Sequence, residues 1–154
     1  MSVTWPLRVY YDRSCGLCRR EMHALAEFDA QGRLQLVDCS VPGFEDADLA
    51  AAGIPVAEAM RIIQARDAQG RWLRGVEVFE AAYAGVGLPG VAAMFAHPWL
   101  RPLWDRAYPW IARHRYALSR LGLTAPYGWL VRRAARRALQ RSRACNDGVC
   151  DTRG

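Results

Sequence analysis

Two cysteines three positions apart, Cys15 and Cys18 in Asp12-Arg-Ser-Cys-Gly-Leu-Cys18, are the residues of this chain best suited to chemistry. They follow the apolar run Leu7–Tyr11 and lead into a helix-forming segment, so the spacing places both sulfurs on the first turn of a helix. Unpaired backbone N–H groups at such a turn, with a partial positive charge of about half an elementary charge, favour a thiolate. Cys15 is therefore expected to be the more acidic and more exposed nucleophile. Cys18, one turn deeper, is expected to attack the mixed disulfide formed on Cys15 and release the reduced substrate. Asp12 and Ser14 offer side-chain oxygens to the helix start, and Asp12 could alternatively take a proton from Cys18. Arg13, Arg19 and Arg20 flank the pair, and nearby cations with a helix start lower a thiol pKa from about 8.5 to roughly 3.5–7.5. Two other readings stand beside redox catalysis: half of a zinc site, or inert core cysteines. Zinc takes four ligands, and the other close cysteine pair is Cys145 and Cys150 in the polar tail.

The elements that must position these residues follow in chain order. Leu7–Tyr11 reads as a strand buried on both faces. A helix is expected over 15–30, with Leu17, Met22, Leu25, Ala26 and Phe28 on its apolar side and Gly32 stopping it. A strand over 34–39 completes a parallel, right-handed strand–helix–strand unit. Pro42 and Gly43 mark a loop, and 44–52 reads as a short helix ended by Gly53. The stretches 60–66 and 71–74 read as a hairpin turning at 67–70. Val76, Phe79, Tyr83 and Val86 recur at helical spacing, so a helix follows. From Leu88 onward the aromatic residues Trp99, Trp104, Tyr108, Trp110 and Tyr116 are interleaved with Pro98, Pro102 and Pro109. Those prolines are expected to break the segment into short helices, either extra core or a substrate groove or membrane-interface belt. Residues 129–143 pattern as an amphipathic helix with Arg132, Arg133, Arg136, Arg137 and Arg141 along one side. The expected organisation is a redox core over 1–86, a helical extension over 87–143 and a cysteine-containing tail over 144–154.

Tyr10-Tyr-Asp-Arg-Ser-Cys-Gly-Leu-Cys18 resembles the signature of the DCC family, predicted thiol–disulfide oxidoreductases named for that Asp-Cys-Cys. Asp67-Ala-Gln-Gly70, followed by Arg74-Gly-Val-Glu-Val-Phe79, resembles the family's second block, and Tyr108-Pro-Trp-Ile-Ala-Arg-His-Arg115 a third. The resemblance covers roughly residues 6 to 116. It implies an α/β, thioredoxin-like fold: a small mixed sheet of about four strands flanked by helices, here with a C-terminal helical extension. It also implies disulfide exchange by a redox-active pair, with no further cofactor. Thioredoxin-like proteins usually place a cis-proline just before the third strand, beside the dithiol. Here Pro55 lies ahead of Met60, and Met60 or Arg61 is expected to occupy that position instead.

The 154 residues suffice for one domain with a real core, and 52% hydrophobic with 23% charged residues excludes a disordered chain. Membrane-spanning helices are not expected, because the longest uncharged run, 81–100, contains Gly85, Gly87, Pro89, Gly90 and Pro98. The first residues, Met-Ser-Val-Thr-Trp-Pro, lack the basic-then-apolar pattern of a secretory signal, so a cytoplasmic location is expected, with attachment at a membrane periphery as its variant. Five cysteines in that compartment favour catalytic or metal-binding use over a disulfide scaffold. All 21 basic residues are arginine, and the formal charge of +6 gathers between Asp105 and Asp147, where no acidic residue occurs. Arg132, Arg133, Arg136 and Arg137 could meet an anionic membrane surface; nucleic acid is not expected as a partner. Cys145 and Cys150 flank the turn signal Asn146-Asp-Gly148 and are read as an accessory redox pair exchanging with Cys15 and Cys18, with an independent tail disulfide, a metal clip made with Cys15 and Cys18, or a solvent-exposed tail without a role as alternatives. The contrasting function is a non-catalytic adaptor whose cysteines bind metal and whose arginines bind an anionic surface.

Overall fold

The computed structural model describes residues 3–121, together with residues 129 and 133. The chain runs β1 (Leu7–Tyr11), α1 (Gly16–Phe28), β2 (Leu34–Asp38), α2 (Ala47–Ala51), α3 (Val56–Arg61), β3 (Gln64–Arg66), β4 (Trp72–Arg74), α4 (Val76–Gly85), α5 (Pro89–Ala96) and α6 (Arg101–Arg120). The four strands form one mixed sheet in the order β2-β1-β3-β4. β1 pairs with β2 in parallel, Val9 opposite Leu36, and with β3 antiparallel, Val9 opposite Ala65. This is the thioredoxin-like arrangement that the strand and helix patterns imply.

β1 is central, and its alternation explains why. Leu7, Val9 and Tyr11 face the larger core with Met22, Leu25 and Val78, whereas Tyr10 faces a smaller one with Cys39, Leu49 and Ala59. Arg8 points to the same side as Tyr10 and is tied to Asp46 and Asp48 at the start of α2. Both faces of the strand are covered, which fixes its register, because a one-residue slip would exchange the two sets.

Several boundaries differ from the pattern. α1 ends at Phe28 with Asp29 as its cap, and Asp29 Oδ1 and Oδ2 accept the N–H groups of Arg33 and Leu34. Ala24 rather than Ala26 lies on its buried side. α2 starts only at Ala47, because Asp46 caps it by accepting from the N–H groups of Asp48 and Leu49. Met60 and Arg61 are not strand residues: they close α3, which Pro55 begins. The residues directly ahead of β3 are thus Ile62 and Ile63, so none of Pro55, Met60 and Arg61 takes the place before that strand. The one cis peptide bond among the described residues joins Trp5 to Pro6.

The prolines of the second half do not fragment it as expected. Pro102 sits in the first turn of α6, where a missing N–H costs nothing, and Pro109 is accommodated within a helix of 20 residues. Packing holds that helix. Trp104 Nε1 donates to the Met94 carbonyl at 3.2 Å, and the Tyr108 hydroxyl accepts from the Ile63 N–H at 3.1 Å. Trp104 and Tyr108 join the core, whereas Trp99 is 86% exposed and Trp110 and Tyr116 are also exposed. No helix of the described residues is long and apolar enough to cross a membrane. The arginine-rich stretch lies outside the described residues except for Arg133, whose guanidinium lies 5.0 Å from the centre of the Trp129 ring. Cys145 and Cys150 also lie outside them.

Candidate functional site

The end of β1 delivers Asp12, and the turn that follows delivers the two sulfurs. Asp12 Oδ1 accepts the N–H of Ser14 at 3.0 Å as well as its hydroxyl, so the aspartate shapes the turn before the helix. The helix cap itself is Cys15, in extended conformation, whose sulfur accepts the N–H of Cys18 at 3.5 Å. A sulfur, and not the expected oxygen of Asp12 or Ser14, therefore occupies the anion-favouring position of the first turn.

The two thiols diverge in acidity. Cys15 is lowered to about 6, first by a hydrogen bond from the Cys18 thiol, then against burial by the N–H groups of Cys18 and Leu17 and by the charge of Arg115. Cys18 is pushed up by the same hydrogen bond and by desolvation. The order of acidity is the one the spacing implied. The order of exposure is reversed: Cys15 is 0% exposed, while Cys18 is part-exposed. Helix α6 lies over the same turn, with the Tyr116 hydroxyl 3.3 Å from Ser14 Oγ. It packs on the first turn of α1 so closely that a Cβ on Gly16 would lie 2.3 Å from Ser119 Oγ.

α6 also supplies the cation. Arg115 Nη2 bonds Asp12 Oδ2 at 2.7 Å, with both side chains buried, and its Nη1 donates to the Arg61 carbonyl at 2.9 Å. The Tyr116 hydroxyl donates to the same Asp12 oxygen. Burial alone would raise the Asp12 pKa, yet Ser14, Tyr116 and Arg115 together hold the carboxylate below its usual range. Arg13, Arg19 and Arg20 face solvent. The cation whose field reaches both sulfurs is Arg115, which lies far along the chain in the third block, Tyr108 to Arg115. That block was the available signal, since it set Tyr108 and Arg115 in one motif without giving either a role.

Below the dithiol, α1, α4 and α6 enclose a cavity of about 400 Å³ whose walls include Cys18, Glu21, Met22, Phe79, Trp104 and Arg115. Glu21 is raised by burial and accepts a hydrogen bond from the Tyr83 hydroxyl. Cys39 is a buried strand-end thiol that burial pushes up to about 12, which suits an inert core residue. His23 is exposed. Among the described residues no cluster of three or more His, Cys, Asp or Glu is placed to hold a metal.

A family model, DCC1-like thiol-disulfide oxidoreductase, matches residues 9–121, a span that holds Asp12, both cysteines, Glu21 and Arg115. The chain is also similar to an uncharacterized chloroplastic protein of Arabidopsis thaliana, 30% identical over 116 residues that make up 75% of this chain and 53% of that relative. It thus spans about half the length of the curated relative it matches. No solved structure matches it.

Proposed function

Because the chain belongs to the DCC1-like thiol-disulfide oxidoreductase family, we propose that it catalyses thiol–disulfide exchange, with Cys15 and Cys18 cycling between dithiol and disulfide. The observation that carries this reading is the split between the two thiols on one helical turn. Cys15 is held as a thiolate near neutral pH by Cys18, by two backbone N–H groups and by Arg115. A stabilised thiolate lowers the free energy of the reduced form and makes the pair more oxidising. Asp12 anchors Arg115 beside the sulfurs, and Ser14 and Tyr116 fix Asp12 in turn. Asp12 and Arg115 are in this reading positioning groups, with Arg115 also setting the local field.

The test is exchange between dithiothreitol and a chromogenic aromatic disulfide, with the protein in catalytic amount. Acceleration that is lost in both Cys15→Ser and Cys18→Ser is the expected result. Acceleration that survives in both variants would reject the assignment.

A further inference from the structure

The cavity beside the dithiol presents one sulfur and hides the other. Cys18 lines it, together with Glu21 one helical turn on, whereas Cys15 is wholly buried and is not among the lining residues. Most of the remaining wall is apolar, including Met22, Val76, Phe79 and Phe95. A volume of about 400 Å³ falls within the range that encloses small molecules. Arg115 in that wall is 8% exposed, and its Nη1 and Nη2 are both engaged within the protein, by the Arg61 carbonyl and the Asp12 carboxylate. An extended polypeptide finds less to hold. The Ile63 N–H that precedes β3 is already bonded to Tyr108, and Arg115, Tyr116 and Ser119 of α6 cover the turn that carries Cys15.

We infer, on the basis of the thiol–disulfide reading above, that the cavity binds a small apolar thiol whose sulfur bonds to Cys18 and not to Cys15. The protein starts as the Cys15–Cys18 disulfide. The ligand sulfur attacks the Cys18 sulfur and passes its proton to the Glu21 carboxylate. A ligand–Cys18 disulfide forms, the Cys15–Cys18 bond breaks, and Cys15 departs as a thiolate. A second thiol molecule then attacks the ligand sulfur, the ligand disulfide leaves, and Cys18 retains the electron pair and takes a proton. Two thiols are oxidised to one disulfide, and the protein pair is reduced by two electrons. The acidity order supports this sequence, because a thiolate of low pKa is the faster leaving group and Cys15 is the sulfur so stabilised.

The experiment uses the full chain, oxidised and then mixed at matched thiolate concentration with benzyl mercaptan, 2-mercaptoethanesulfonate or a cysteine-containing hydrophilic peptide. Acid quenching, alkylation and peptide mapping locate the mixed disulfide. The expected result is reduction by benzyl mercaptan at least about tenfold faster than by the other two, from burial of its ring, with the adduct on Cys18 and Cys15 free. Ala112→Phe, which places a ring in the cavity wall, is expected to bring benzyl mercaptan down to the rate of the sulfonate. An adduct on Cys15, or equal rates for all three thiols with the unsubstituted protein, would overturn the inference while leaving the exchange activity standing. Failure of all three thiols and of dithiothreitol to reduce a Cys15–Cys18 bond would overturn both.

Discussion

At the scale of single residues the site rests on Arg115 more than on any arginine near the cysteines. Its guanidinium joins the Asp12 carboxylate in a buried pair and contributes to lowering Cys15. Arg115→Met leaves Asp12 buried without its cation, which costs about 3 kcal/mol by analogy with broken buried pairs, and it raises the Cys15 pKa. Chemical denaturation and the pH profile of Cys15 alkylation read these two effects separately. Asp12→Asn combined with Arg115→Met is expected to recover part of the stability and none of the acidity. In the unsubstituted protein, iodoacetamide labelling of Cys15 is expected to titrate with a midpoint near the value of about 6 set by its surroundings. A midpoint near that of a free thiol, about 8.5, would mean that the turn does not stabilise the thiolate. Labelling is expected to be slow at every pH, because Cys15 is buried. The acidity of Cys15 was legible in the sequence, since a Cys-x-x-Cys at a helix start contains its own cause. Its burial was not, because the covering residues lie a hundred positions away.

At the scale of elements, α6 decides what reaches the dithiol. Gly16 has no Cβ where Ser119 Oγ would meet one at 2.3 Å, so the two helices touch at the first turn of α1. Gly16→Ala forces Ser119 to rotate or α6 to move away, at a cost of up to about 1 kcal/mol, and is expected to speed alkylation of Cys15 at pH 8. Adding Ser119→Ala removes the oxygen and leaves the Ser119 Cβ at 3.6 Å, an ordinary contact, so the double variant returns to the original rate. Unchanged labelling in Gly16→Ala would show that Ser119 turns aside and α6 keeps its place on the turn. The strand–helix–strand start and the hairpin at Asp67 were readable because each has local causes: alternation along β1, and an aspartate whose Oδ1 accepts the N–H groups of Gln69 and Arg71 to close the turn. The unbroken α6 was not readable, because tertiary contacts by Trp104, Tyr108 and Arg115 override the cost of Pro109. α3 went unseen for a different reason: only six residues long, it is too short to show a period.

At the scale of the whole molecule, the redox state of the pair is linked to folding. The Cys15 thiol has a folded-state pKa of about 6 against about 8.5 for an ordinary thiol. The reduced protein therefore gains stability as pH rises from about 6 toward about 8.5, where the unfolded chain still binds the proton, and loses that gain as pH falls through 6. The disulfide form has no such thiol and lacks this contribution. The difference in melting temperature between reduced and oxidised protein is accordingly expected to shift in favour of the reduced form between pH 6 and 8, and a pH-independent difference would contradict the linkage. The most direct test of the central claim is the equilibrium of the Cys15–Cys18 pair with a dithiothreitol redox buffer at pH 7, read by quantitative alkylation and mass spectrometry. A reversible two-electron transition at Cys15 and Cys18, displaced toward the dithiol relative to Arg115→Met, is the predicted result; absence of any Cys15–Cys18 disulfide across the buffer range would contradict it.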